Sequence, residues 1–98
     1  VADYVMLDSP GQSGHYGATG AIHDWSISRR VVEACSIPVL LAGGLGPDNV
    51  AESIRRVHPA GVDSMTHTSY ADNRFRKAPA RVRRFIEEAR AAAAELGL

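Results

Sequence analysis

Three short apolar runs alternate with three longer amphipathic stretches along this chain, and that alternation limits the folds open to it. Tyr4–Leu7 closes on Asp8, Ile37–Leu41 leads into Ala42-Gly43-Gly44-Leu45-Gly46, and the weaker run Gly61–Met65 leads into a polar loop ending at Ala78. Each has the length and the apolar content of a strand, and the first reads as a strand buried on both faces. A helix is expected over about Trp25–Cys35, with Ile27, Val31, Ala34 and Cys35 on one face and Asp24 or Ser26 as its cap. Pro47 and Asp48 open a second helix lined by Val50, Ile54 and Val57, which ends at His58-Pro59-Ala60-Gly61. Pro79 opens a third, with the stripe Val82, Phe85, Ile86, Ala89 and Ala93 and a stop at Gly97.

The order β-α-β-α-β-α dictates a parallel sheet with right-handed crossovers. In such folds the working loops follow the carboxyl ends of the strands. Here those loops begin at Asp8, Ala42 and Asp63. A parallel sheet of three strands leaves two raw edges and a poorly covered face. The expectation is therefore a piece of a larger sheet or barrel, one partial domain over residues 1–98.

Composition narrows the function. Eleven Lys and Arg balance eleven Asp and Glu, so no electrostatic field favours nucleic acid or an anionic membrane. No apolar run approaches the length of a membrane span, and no signal peptide opens the chain. The single cysteine, Cys35, forms no disulfide within the chain and suits a reducing, cytoplasmic setting. At the end of a sheet-packed helix it reads as a small hydrophobe, not a nucleophile. His15, His23 and His58 show no metal-ligand spacing. Arg74, Arg76 and Lys77 read as a solvated basic loop, although they are near enough in sequence to reach a phosphate.

Two loops carry chemistry-bearing residues. Gly43 and Gly44 lie between a strand and a helix start, where backbone amides and the helix dipole suit a phosphate. The stretch Ser9–Asp24 is long for a strand-to-helix connection, and such loops are usually functional. Within it Gly17 and Gly20 permit close backbone approach to a ligand or a hinge.

The ordered set YVMLDS, GATGAIHDW and PVLLAGGLGPDNVAESIRRVHPAGVD resembles the carboxyl-terminal half of the phosphoribosylanthranilate isomerase family. The resemblance covers nearly the whole chain. It implies strands six to eight of a TIM (β/α)8 barrel, from a protein roughly twice this length, with the amino-terminal strands outside this sequence. It also implies a cofactor-free Amadori rearrangement of N-(5-phosphoribosyl)anthranilate, in tryptophan biosynthesis, with a small sugar-phosphate substrate. By resemblance Asp8 is the general acid. The general base is a cysteine on strand one, which lies outside this chain. Gly43 and Gly44 contact the substrate phosphate, and the loop carrying Gly17 and Gly20 folds over the substrate, with Trp25 packed on the barrel shell.

Two positions depart from the family pattern. Ala21 stands where a basic residue is frequent. After the last strand the chain reads Asp63-Ser64-Met65-Thr66-His67-Thr68-Ser69, with His67 in place of the glycine expected in the phosphate cup. Thr66, Thr68 and Ser69 retain hydroxyl donors, and a protonated His67 adds a charged one. These departures leave two alternatives open: a divergent barrel enzyme acting on another sugar phosphate, and a non-catalytic barrel paralogue with a binding or assembly role.

Overall fold

The computed structural model describes residues 3–8 and 17–98, and over 17–24 the backbone alone. In chain order the elements are β1 (Val5–Asp8), α1 (Gly17–Ala34), β2 (Val39–Ala42), α2 (Val50–Val57), β3 (Gly61–Val62), β4 (Ser69–Tyr70), β5 (Asn73–Lys77) and α3 (Pro79–Leu96). The first three strands form the expected parallel sheet in the order β1-β2-β3. Its register sets Val5 beside Val39 and Asp8 beside Ala42, and Leu41 beside Val62. The carboxyl ends of the three strands therefore finish at one edge of the sheet.

The helices lie side by side with α2 in the middle, touching α1 and α3. The core is Trp25, Leu41, Leu45, Val50, Ile54, Val57, Phe85 and Ala92. Central β2 supplies Val39, Leu41 and Ala42, all buried. Burying a side chain such as Leu41 or Leu45 contributes about 1.5–3 kcal/mol. Arg55 Nε bonds Glu95 Oε2 at 3.0 Å and ties the exposed sides of α2 and α3 together. Gly97, at φ 74, closes α3 as a left-handed cap, as the sequence indicates. Among the described residues no helix is long and apolar enough to cross a membrane.

Several boundaries differ from the sequence-based expectation. The helix expected to start at Trp25 already begins at Gly17, so Asp24 and Ser26 are interior to it and neither is its cap. Apolar Ala18, Ala21 and Ile22 recur at helical spacing before Trp25, and that periodicity outweighs the cost of about 1 kcal/mol for each of Gly17 and Gly20. The remainder of the stretch read as a loop, Ser9–Tyr16 with His15 in it, lies outside the described residues, as does the His23 side chain. The buried face of α1 is Trp25 and Ser28 with Val32 packed against the core, whereas Ile27 is 58% exposed. Trp25 sets this face, because the largest apolar side chain fixes the helix rotation. Cys35 follows α1 and is half-buried.

β1 is not buried on both faces. It is an edge strand, and Met6 is 52% exposed. α2 is regular from Val50, but the Val50 N–H already bonds Gly46 O at 3.0 Å, so Pro47 and Asp48 occupy the turn leading into the helix. β3 is two residues long, although Asp63 N–H still reaches Leu41 O at 2.9 Å. The polar stretch before Ala78 contains an antiparallel hairpin, β4–β5, in which Tyr70 pairs with Asn73. Ile86 is exposed, and Ala92 takes the buried place on α3.

Candidate active site at the strand carboxyl ends

The carboxyl end of β1 and the loops after β2 and β3 converge. A cleft of about 320 Å³ is lined by Met6 and Asp8 from β1, by Ala42, Gly43 and Gly44 after β2, and by Asp63, Met65, Thr66 and His67 after β3. Five of the seven residues singled out in the sequence meet here: Asp8, Gly43, Gly44, Thr66 and His67. Gly17 and Gly20 instead belong to the first turns of α1. A second groove, of about 260 Å³, lies between α2, β3 and α3. Its apolar walls, Ile54, Val62, Ala89 and Ala93 among them, hold Arg90 as the one ionisable side chain among the described residues. It offers no acid or base.

Asp8 stands exposed at the end of β1, beside Ala42. Asp63, also exposed, brings a second carboxylate into the cleft. The glycines between them have left-handed backbones, φ 97 at Gly43 and φ 68 at Gly44. A side chain at either position would cost about 1–2 kcal/mol in backbone strain alone. The turn demands glycine, and its amides are left uncovered by any Cβ.

Asn49 holds that turn. Its Oδ1 accepts the Gly46 N–H at 2.8 Å and its Nδ2 donates to Gly44 O at 3.0 Å. Buried Leu45 anchors the same turn in the core. The loop after β3 is fastened to it. Ser64 Oγ donates to Leu45 O at 2.7 Å and lies 3.3 Å from Thr68 Oγ1. A Cβ built on Gly46 would lie 2.6 Å from the Cβ of His67. The two loops therefore touch backbone to side chain, and that contact needs glycine at 46.

Thr66 and His67 are exposed, with Thr66 Oγ1 3.4 Å from His67 Nδ1. Of the basic residues near the end of the chain, Arg74 stacks over Phe75 at 4.9 Å and Arg76 over Tyr70 at 5.2 Å. Lys77 turns back onto the loop after β3, donating to Met65 O and, at 3.1 Å, to Thr68 Oγ1. Among the described residues no three His, Cys, Asp or Glu side chains gather as a metal site.

Asn49, Ser64 and Arg81 have no individual reading from the sequence, and Lys77 is read only as part of a solvated basic loop. For Asn49 a signal exists, an Asx residue two places after Pro47 at a helix start. For Ser64, Lys77 and Arg81 none points to the partner, because the carbonyls they reach are brought to them by tertiary packing.

A sequence model described as N-(5'-phosphoribosyl)anthranilate (PRA) isomerase matches residues 1–66. The chain is 47% identical over 90 residues to N-(5'-phosphoribosyl)anthranilate isomerase of Methanosarcina acetivorans, covering 92% of this chain and 36% of that protein. It is 44% identical over 96 residues to N-(5'-phosphoribosyl)anthranilate isomerase 1 of Methanosarcina mazei, covering 98% of this chain and 39% of that one. Its fold superposes on phosphoribosyl anthranilate isomerase from Thermococcus kodakaraensis with a TM-score of 0.74 at 31% identity, over 92% of this chain and 38% of that one. The chain thus spans a little over a third of the length of these relatives. It belongs to the N-(5'-phosphoribosyl)anthranilate isomerase family.

Proposed function

We propose that the chain supplies the last three βα units of a (β/α)8 barrel that isomerises N-(5'-phosphoribosyl)anthranilate in tryptophan biosynthesis. The observation that carries this reading is the cleft in which Asp8, Gly43, Gly44, Thr66 and His67 meet at the carboxyl ends of three parallel strands. The exposed edge strand β1 and the short β3 suit continuation of the sheet by strands from the rest of the barrel.

The reaction moves hydrogen within one substrate, so it needs no external oxidant or cofactor. Asp8, as the general acid, gives a proton to the furanose ring oxygen as the C1–oxygen bond breaks, leaving an open-chain iminium ion. A general base from a strand outside this chain then removes the C2 proton. The resulting enolamine tautomerises to the ketone. Each proton transfer of this kind contributes about 10²–10⁴-fold when the group is positioned.

The phosphate falls to the other side of the cleft. Amides of Gly43 and Gly44 donate from one loop, and Thr66 and His67 from the next. Hydrogen-bond donors fixed before the substrate arrives bind an oxyanion without reorganisation. Gly17 and Gly20 let the backbone at the amino end of α1 approach the substrate, in place of a hinged loop. The partner is a small sugar phosphate, and the free Cys35 suits a reducing cytoplasm.

The test is turnover of N-(5'-phosphoribosyl)anthranilate by the complete protein that contains this chain, beside the 98 residues alone. Turnover by the complete protein and none by the 98 residues is expected. Turnover by the 98 residues would refute the division of acid and base between this chain and the rest of the barrel. Turnover of a different sugar phosphate only would favour the divergent enzyme that His67 and Ala21 raise.

A further inference from the structure

The loop after β3 has an unusual distribution of hydrogen bonds. Four successive carbonyls, at Met65, Thr66, His67 and Thr68, all accept from residues later in the chain. Met65 O accepts from Lys77 Nζ and, at 3.1 Å, from Ser69 Oγ. Thr66 O accepts the Ser69 N–H at 3.1 Å. His67 O accepts from Arg81 Nε at 2.8 Å. Thr68 O accepts the Ala78 N–H at 2.9 Å. No cis peptide bond occurs among the described residues, and in a trans peptide the N–H points opposite to the carbonyl. The Thr66 amide is thereby turned away from Lys77, the Thr68 amide from Arg81, and the His67 amide from the Ser69 N–H. Among the described residues none of these three amides donates to a protein acceptor. Lys77 and Arg81 do not line the cleft, whereas Thr66 and His67 do.

We infer that Lys77 and Arg81 are positioning residues for phosphate binding: they hold the Met65 and His67 carbonyls on either side of the peptide that the Ser69 N–H holds, so that the amides of Thr66 and His67 face the cleft as donors. The inference rests on the phosphate site assigned above and deepens it. Residues 65–68 hold no glycine, so the loop does not reach an anion through a glycine's open backbone. Two cations and the Ser69 N–H fix its peptide planes instead, and all three lie beyond residue 66, the end of the family match. Charged donors to carbonyls are among the stronger hydrogen bonds in proteins. Both cations reach backbone carbonyls, and neither lines the cleft that holds Asp8, Gly43 and Gly44.

The experiment titrates inorganic phosphate into the complete protein and follows the amide resonances of Thr66 and His67. The variants are Lys77→Gln, Arg81→Gln, Lys77→Arg and Arg81→Lys. In the wild type both amides should shift on phosphate binding. Each Gln variant should raise the phosphate Kd about tenfold and KM for N-(5'-phosphoribosyl)anthranilate in parallel, with kcat within about twofold. The charge-conserving variants should restore most of the affinity, which also covers a Gln variant that fails to fold. Wild-type amides silent to phosphate would overturn the inference. So would unchanged affinity in both Gln variants, or a fall in kcat at constant KM. Amides that respond and weaken as stated, in a protein that does not turn over N-(5'-phosphoribosyl)anthranilate, would uphold the inference and refute the isomerase reading.

Discussion

Gly46 and His67 share one space: a Cβ on Gly46 would lie 2.6 Å from the His67 Cβ and 3.5 Å from its backbone oxygen. Neither atom is the far end of a flexible side chain, so neither moves without moving its loop. Gly46→Ala should therefore destabilise the complete protein by about 1–3 kcal/mol, the usual cost of overpacking. His67→Gly removes the obstructing Cβ. In a double-mutant cycle read by denaturant unfolding, the pair should recover much of that loss. Strictly additive effects would mean that the two loops are not in contact.

Gly44→Ala tests the turn that faces the phosphate. At φ 68 the added Cβ strains the backbone by about 1–2 kcal/mol. Relief of that strain shifts the amides, so phosphate-bearing ligands should bind about tenfold more weakly. Isothermal titration with the reaction product checks this, and unchanged affinity would place the phosphate elsewhere.

Much of this arrangement is legible in the sequence. The alternation of apolar runs and amphipathic stretches yields the parallel sheet. Asp8, Gly43 and Gly44 are recognisable because each stands where a strand gives way to a loop. The amino end of α1 is not legible, because Gly17 and Gly20 are strong breaker signals that the helix absorbs. The β4–β5 hairpin is hidden for a different reason. Its strands are short, and Arg74, Phe75 and Arg76 show no buried face. Lys77 and Arg81 look like solvated charges until the fold brings carbonyls to them.

Asn49→Ala isolates the fastening of the glycine turn. The side chain makes two part-buried hydrogen bonds, to the Gly46 N–H and to Gly44 O. Their loss should cost about 1–3 kcal/mol of stability. It should also raise KM, because the Gly44 peptide is then free to rotate. Thermal unfolding and steady-state kinetics report the two effects separately. A stability loss with KM unchanged would confine Asn49 to a structural role.

The central claim is that one cleft divides its labour, with acid chemistry at Asp8 and phosphate binding at the glycine turn. Steady-state turnover of N-(5'-phosphoribosyl)anthranilate by the complete protein, with Asp8→Asn and Gly44→Ala side by side, tests it directly. Asp8 is exposed, so its replacement should change stability by no more than about 0.5 kcal/mol. Asp8→Asn should lower kcat by at least about 10²-fold with KM little changed. Gly44→Ala should raise KM with kcat little changed. Near wild-type kcat in Asp8→Asn, or a shared loss of kcat with constant KM in both variants, would contradict the account.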